Sequence, residues 1–172
     1  TGLVHLKELH VDIPDHAKVE ASEMAALAGE ELYKKYSVVE GSKACNEDDL
    51  KEMYLNNTWR PNLSITGANG LPDIAIAGNL VRPSTSVRLS MRLPPGADPS
   101  KATQAIKKAL TTDVPYGLKV ECSDGHEGQG WCMKAMAPSI GDPIRKAGSD
   151  FFDGNKTGTY GMGGSIPFLS EL

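Results

Sequence analysis

Thr85-Ser86-Val87-Arg88-Leu89-Ser90-Met91-Arg92-Leu93 is the stretch on which the fold turns. Thr85, Val87, Leu89, Met91 and Leu93 alternate strictly with Ser86, Arg88, Ser90 and Arg92, the period of two that sends successive side chains to opposite faces of a sheet. The spacing predicts a strand over 85–93 with one face buried and one polar, and it places Arg88 and Arg92 together on the polar face. Just downstream, Asp98 before Pro99 is a helix N-cap with proline at the first helical position, and Ala102, Ala105, Ile106, Ala109 and Leu110 form the buried stripe of the helix that follows. Leu118, Val120 and Cys122 then alternate with Lys119 and Glu121, which predicts another strand. Upstream, 59–66 reads as a strand, and 67–84, rich in Gly, Pro and Asn, reads as a long ordered loop.

The order from Trp59 is therefore strand, loop, strand, helix, strand, the second half of a ferredoxin-like split unit. Half of such a unit leaves a sheet edge and a helix groove open, so a pairing partner or an upstream segment is expected to cover them. Further towards the N-terminus, Met24, Leu27, Ala28 and Leu32 recur at helical spacing and predict an amphipathic helix over 16–36. After a Gly41-Ser42 break, Asn46 is expected to cap a short helix through about 54, with Asp48 and Asp49 in its first turn. Residues 1–15 have alternating apolar positions and a proline but neither a capping signal nor an initiator Met, and read as a chain entered midway. From Ala137 the pattern changes to a helix, a short strand and a glycine turn. The expected fold class is α+β: a partial ferredoxin-like (βαββαβ) domain over 1–134, with an antiparallel sheet and helices on one face, followed by a short helix-strand-turn piece over 135–172.

Composition narrows the function classes. Hydrophobic residues at 40%, charged residues at 23% and a formal net charge of -4 are near globular averages and leave no basic surface for phosphates, so nucleic acid is not an expected partner. No apolar run approaches the roughly 18–20 residues of a membrane span, and no secretory leader pattern opens the chain. Cys45, Cys122 and Cys132 are odd in number and contain no Cys-x-x-Cys pair, which predicts free thiols and a cytoplasmic location.

The most specific motifs are Asn57-Thr58-Trp59-Arg60-Pro61-Asn62-Leu63-Ser64-Ile65-Thr66-Gly67, Gly70-Leu71-Pro72, Ala77-Gly78-Asn79-Leu80-Val81-Arg82-Pro83 and Leu89-Ser90-Met91-Arg92-Leu93-Pro94-Pro95. Together they resemble the lid domain of the di-zinc metallopeptidases that include carnosinase-like dipeptidases, aminoacylases and succinyl-diaminopimelate desuccinylases. The resemblance continues through Pro115-Tyr116-Gly117 and Trp131 to Tyr160 and Gly163-Gly164-Ser165-Ile166-Pro167-Phe168. It implies that 1–134 is a lid and dimerisation domain, incomplete at its N-terminus, and that 135–172 returns to an α/β catalytic domain. It also implies a homodimer through the lid, a small peptide or acylated amino acid as substrate, and two zinc ions in the parent enzyme.

Residue by residue, the resemblance implies that Asn79 reaches across the dimer towards the substrate, where an amide donates to a carbonyl or developing oxyanion. On its own residues, Asn79 reads more readily as a turn former that bonds its own backbone. Arg92 resembles the arginine that holds the substrate carboxylate through a bidentate pair; strand alternation alone makes it a solvated charge. Gly163, Gly164 and Ser165 resemble the glycine turn whose amides and hydroxyl meet the substrate's carboxyl end, and otherwise form a turn and N-cap. Met162 stands where relatives commonly carry an acid, which alters the local hydrogen bonding. The His-Ser-Gly turn that opens the lid in that family does not occur.

Two segments superficially match the family's zinc ligands. His10-Val11-Asp12 imitates a His-x-Asp ligand pair, but Lys7 and Glu8 interrupt the apolar strand that should precede it. Glu30-Glu31 imitates a Glu-Glu pair, yet in a helix adjacent residues point about a hundred degrees apart. The expected catalytic and metal residues of this chain are therefore none: zinc, the nucleophilic water and the general base belong to polypeptide outside it. Two other readings compete, a free-standing module that senses a small carboxylate through Arg88 and Arg92, and a purely structural dimerisation domain.

Overall fold

The computed structural model describes residues 3–123, 125–162 and 167–170. The N-terminal region is a small helical layer. Helix α1 (Asp15–Ala28) ends at Gly29, whose φ of 52° lies in the left-handed region, and the short α2 (Glu31–Lys34) follows. The single helix predicted over 16–36 is thus broken, because the left-handed turn at Gly29 ends the ladder, as glycines do at helix C-termini. Helix α3 (Leu50–Thr58) is capped by Asp49, whose carboxylate accepts the Glu52 N–H at 3.0 Å. Asn46, the expected cap, instead takes a left-handed φ of 63° in the preceding turn. Ala21, Leu32, Tyr54 and Leu55 are buried together between α1, α2 and α3, with Ile13, Met24, Ala28, Leu50, Met53 and Trp59 packed round them.

A hairpin follows the layer. Strand β1 (Asn62–Asn69) pairs antiparallel with β2 (Ser86–Arg92), and these two form an open sheet. The chain is accordingly α+β with an open, partial sheet. β1 starts three residues later than predicted because α3 continues to Thr58 and Arg60 turns back to Glu52, Nη1 to Oε2 at 2.6 Å. The strand expected over 118–122 joins no ladder: Leu118 is extended, but alternation specifies extended backbone without supplying a partner edge. The expected burial of one face of β2 also fails, since Val87 is 51% exposed and Leu89 36%.

Helix α4 (Pro99–Thr111) begins as predicted, with the Asp98 carboxylate accepting the Lys101 N–H at 3.1 Å, and it packs on the single helical turn Lys7–Leu9. Leu9, Ala97 and Ala102 are buried, whereas Leu110 at the far end of the predicted stripe is 45% exposed. Helix α5 (Pro138–Phe151) follows an extended run. The short strand expected after it does not form among the described residues; instead 157–161 crosses the helical layer, with Gly158 beside Leu27 and Met24 and Gly161 beside Thr58 and Tyr54.

The accessible surface is 13533 Å², against roughly 8,200 Å² for a compact monomer of this mass. Much apolar surface is therefore left outside any core.

Candidate functional site

The hairpin owes its two faces to one irregularity. Asn62 opposes Arg92 and Leu63 opposes Met91, through Ser64 with Ser90 and Ile65 with Leu89; the next pairs are Gly67 with Arg88, Ala68 with Val87 and Asn69 with Ser86. Thr66 is thus a bulge, one extra residue in β1. Without it, every pair beyond Ile65 would slip by one and exchange faces. With it, Asn62, Ser64, Gly67 and Asn69 share a face with Ser86, Arg88, Ser90 and Arg92, while Leu63, Ile65, Ala68, Val87, Leu89 and Met91 share the other.

The polar face is suited to an anion. Arg92 stands at its end opposite Asn62, and Arg88 stands over Gly67, where a side chain's Cβ would lie 3.9 Å from that of Arg88. Four strand residues separate the two arginines by about 13 Å along the strand.

Asn79 lies in the loop between the strands. The Leu80 N–H bonds the Gly78 carbonyl at 2.9 Å, a three-residue turn with the exposed Asn79 at its apex. At the loop's mouth Gly70 has φ of 82°, and a Cβ there would meet the Ser84 carbonyl oxygen at 2.4 Å, so only glycine lets the two arms approach this closely. The loop leaves the ladder at Asn69 and Ser86, the end opposite Arg92, six strand residues or about 20 Å away. The ladder therefore puts the roots of Asn79 and Arg92 at opposite ends of the hairpin. Gly163, Gly164 and Ser165 lie outside the described residues.

Among the described residues no group of three or more His, Cys, Asp and Glu side chains could hold a metal ion. His10 Nε2 is 2.8 Å from the Val4 carbonyl, and Glu30 is paired with Lys34 at 2.7 Å. The donor set does not fit a zinc pair. Cys45 and Cys132 are exposed and Cys122 half-buried, all as thiols. No helix among the described residues is long and apolar enough to cross a membrane.

A second arrangement lies away from the hairpin, in the helical layer. The buried Tyr54 hydroxyl accepts the Gly161 N–H and donates to the Thr159 carbonyl at 3.3 Å, and its ring meets Tyr160 edge-on at 6.0 Å. Burial pushes the Tyr54 hydroxyl above the usual tyrosine range. The Lys35 ammonium donates to the Tyr160 hydroxyl and stands 4.8 Å from the centre of that ring and 5.1 Å from that of Tyr36. This bond raises the Lys35 pKa. Tyr54 and Tyr160 are 106 positions apart, and the only sequence signal for their meeting is the pair of glycines, Gly158 and Gly161, that flank Tyr160 and allow close backbone approach.

No family model matches the chain, and no curated protein does. Solved structures match in fold. Human carnosine dipeptidase 1 matches with a TM-score of 0.62 and 14% sequence identity over 98% of this chain and 37% of its own. The di-peptidase Dug1p from Saccharomyces cerevisiae matches with a TM-score of 0.57 and 19% identity over 96% of this chain and 34% of its own. The chain spans about a third of the length of each, and along nearly all of its own length it is folded like that third.

Proposed function

We propose that this chain is the lid and dimerisation region of a zinc-dependent dipeptidase or related amidohydrolase, residues 1–134, with 135–172 returning to the catalytic domain. The observation that carries the reading is the match in fold of 98% of the chain to a stretch of a carnosine dipeptidase. In this reading Arg92 grips the free carboxylate of a small peptide or acylated amino acid, its planar guanidinium making the bidentate pair that a lysine could not. Asn79 donates to the substrate carbonyl in the partner's site, and Gly163, Gly164 and Ser165 meet the carboxyl end. In this reading the parent's two zinc ions are held by residues other than those described here, among which no group of three or more donor side chains stands together.

The surface left open supports an obligate neighbour. Leu63, Ile65 and Val87 share the apolar face of the hairpin and are about half exposed or more, and an open apolar face of this kind marks an interaction surface; Ile74, Leu80 and Val81 in the loop are more exposed still. The location proposed for the parent is the cytoplasm, on the three free thiols.

Two experiments test this reading. The isolated chain, assayed with zinc and dipeptides, should bind no zinc tightly and turn over nothing. In a metal-bearing parent, Arg92→Ala should raise KM for carboxylate substrates by roughly ten- to a hundredfold, the loss of a charge-assisted pair worth about 1.5–3 kcal/mol, and should leave KM for carboxamide analogues unchanged. Tight zinc with turnover in the isolated chain, or an unchanged KM in the variant, overturns the reading.

A further inference from the structure

A pocket of about 280 Å³ opens between α2, α3 and residue 160, walled chiefly by Leu32, Tyr33, Tyr36, Met53, Tyr54 and Tyr160. Its size decides what it can hold. A dry cavity of about 150 Å³ accepts benzene, whereas drug-sized ligands need about 300–1,000 Å³. The space here suits one aromatic ring with a short substituent. The four tyrosines offer ring edges and faces to a flat guest, with Leu32 and Met53 adding apolar surface.

Charge completes the selection. Three of the neighbouring acids are matched with cations, Glu30 with Lys34, Glu47 with Lys43 and Glu52 with Arg60, whereas Glu20, whose charge reaches Tyr54, and Glu31 stand without such a pair among the described residues. Lys35, by contrast, has a neutral phenol, Tyr160, as its hydrogen-bond partner, and its ammonium stands within 5.1 Å of the ring centres of two of the pocket's tyrosines. A cation held beside an aromatic pocket by a neutral partner favours an anionic group on the guest.

We propose that this pocket binds a small aromatic carboxylate, its ring seated among Tyr33, Tyr36, Tyr54 and Tyr160 and its carboxylate at the Lys35 ammonium. The site uses neither Arg92 nor Asn79 and stands independently of the proposed function.

Phenylacetate and benzyl alcohol, titrated into the isotope-labelled chain and followed by NMR, test it. Both should give saturable shifts at Tyr33, Tyr36 and the pocket-lining Cys45 and Asn57, with phenylacetate the tighter by roughly threefold, the range of a solvent-exposed ion pair. Lys35→Gln should erase that preference. Ala44→Phe, which fills the space from its wall, should abolish binding of both. Tyr36→Ala, at a side chain already 52% exposed, removes a wall without opening the core and should weaken both about two- to tenfold. Absence of saturable binding, binding that survives Ala44→Phe, or shifts confined to 86–92 and lost in Arg92→Ala, overturns the proposal.

Discussion

The helical layer and the hairpin spend their apolar residues in opposite ways. In the layer, Ala21, Leu32, Tyr54 and Leu55 are all at most 7% exposed; in the hairpin, Leu63, Ile65 and Val87 remain about half exposed or more although their alternation is just as regular. A helix stripe is buried here because three helices and the 157–161 crossing meet round it, while the sheet has two strands and its apolar face stands in solvent. Stability of the chain therefore resides in the layer, and the hairpin keeps its faces for something else.

Leu55→Ala should show the largest effect if this division holds. It removes a buried side chain from the centre of the layer and should cost about 2–5 kcal/mol, read as a lowered midpoint in chemical denaturation followed by circular dichroism. Gly70→Ala attacks the hairpin at its most sterically committed point. The left-handed φ and the Ser84 oxygen both oppose a Cβ there, and the strain should cost about 1–3 kcal/mol. Hydrogen exchange should show that cost in the β1–β2 amides, with the layer's amides unchanged; equal loosening of both regions would mean that they fold as one unit.

Tyr54→Phe comes next and tests how the C-terminal stretch is tied to the layer. It leaves the Gly161 N–H and the Thr159 carbonyl without their shared hydroxyl and should cost about 1–2 kcal/mol, with faster proteolysis between 152 and 162. The same residue gives an alkaline signature. Its pKa is raised in the folded chain by burial, so the folded state keeps the proton while the unfolded state ionises near 10. Its stabilising contribution is therefore intact below pH 10 and lost as pH rises above it. Wild type should lose stability over that window more steeply than Tyr54→Phe; parallel curves would show that Tyr54 does not titrate differently on folding.

Which of these features the sequence announces follows from their range. The Asp98-Pro99 cap, the alternation of 86–92 and the helical spacing round Met24 are local and legible directly, as is the α+β class. The failures are non-local. Leu118, Val120 and Cys122 alternate as well as Val87, Leu89 and Met91 do, but a strand needs an edge to join, and periodicity does not say whether one is offered. The Thr66 bulge is invisible for the same reason, since it exists only in the register between two strands. At Asn46 and Asp49 two good caps compete three residues apart, and the backbone takes the second. Of the candidate site, alternation alone places Arg92 correctly on a polar face, whereas the Tyr54–Tyr160 contact depends on a crossing that no local pattern encodes.

The smallest expected effect is the one that most sharpens the contrast. Leu89 sits in the middle of the apolar face, opposite Ile65, and is 36% exposed. In a core strand, replacing it with serine would be severe. Here, with no layer above it, Leu89→Ser should change the stability of the isolated chain by less than about 0.5 kcal/mol, as for other surface substitutions. The same change should weaken self-association or association with a metal-bearing catalytic partner, because any protein that covers this face must bury a hydroxyl where it would have buried a leucine. Sedimentation velocity and denaturation on the same pair of proteins separate the two quantities. A large stability loss with unchanged association would place Leu89 in the chain's own core and erase the difference between hairpin and helical layer; a small loss with weakened association would show that the apolar face of β1 and β2 is an interface.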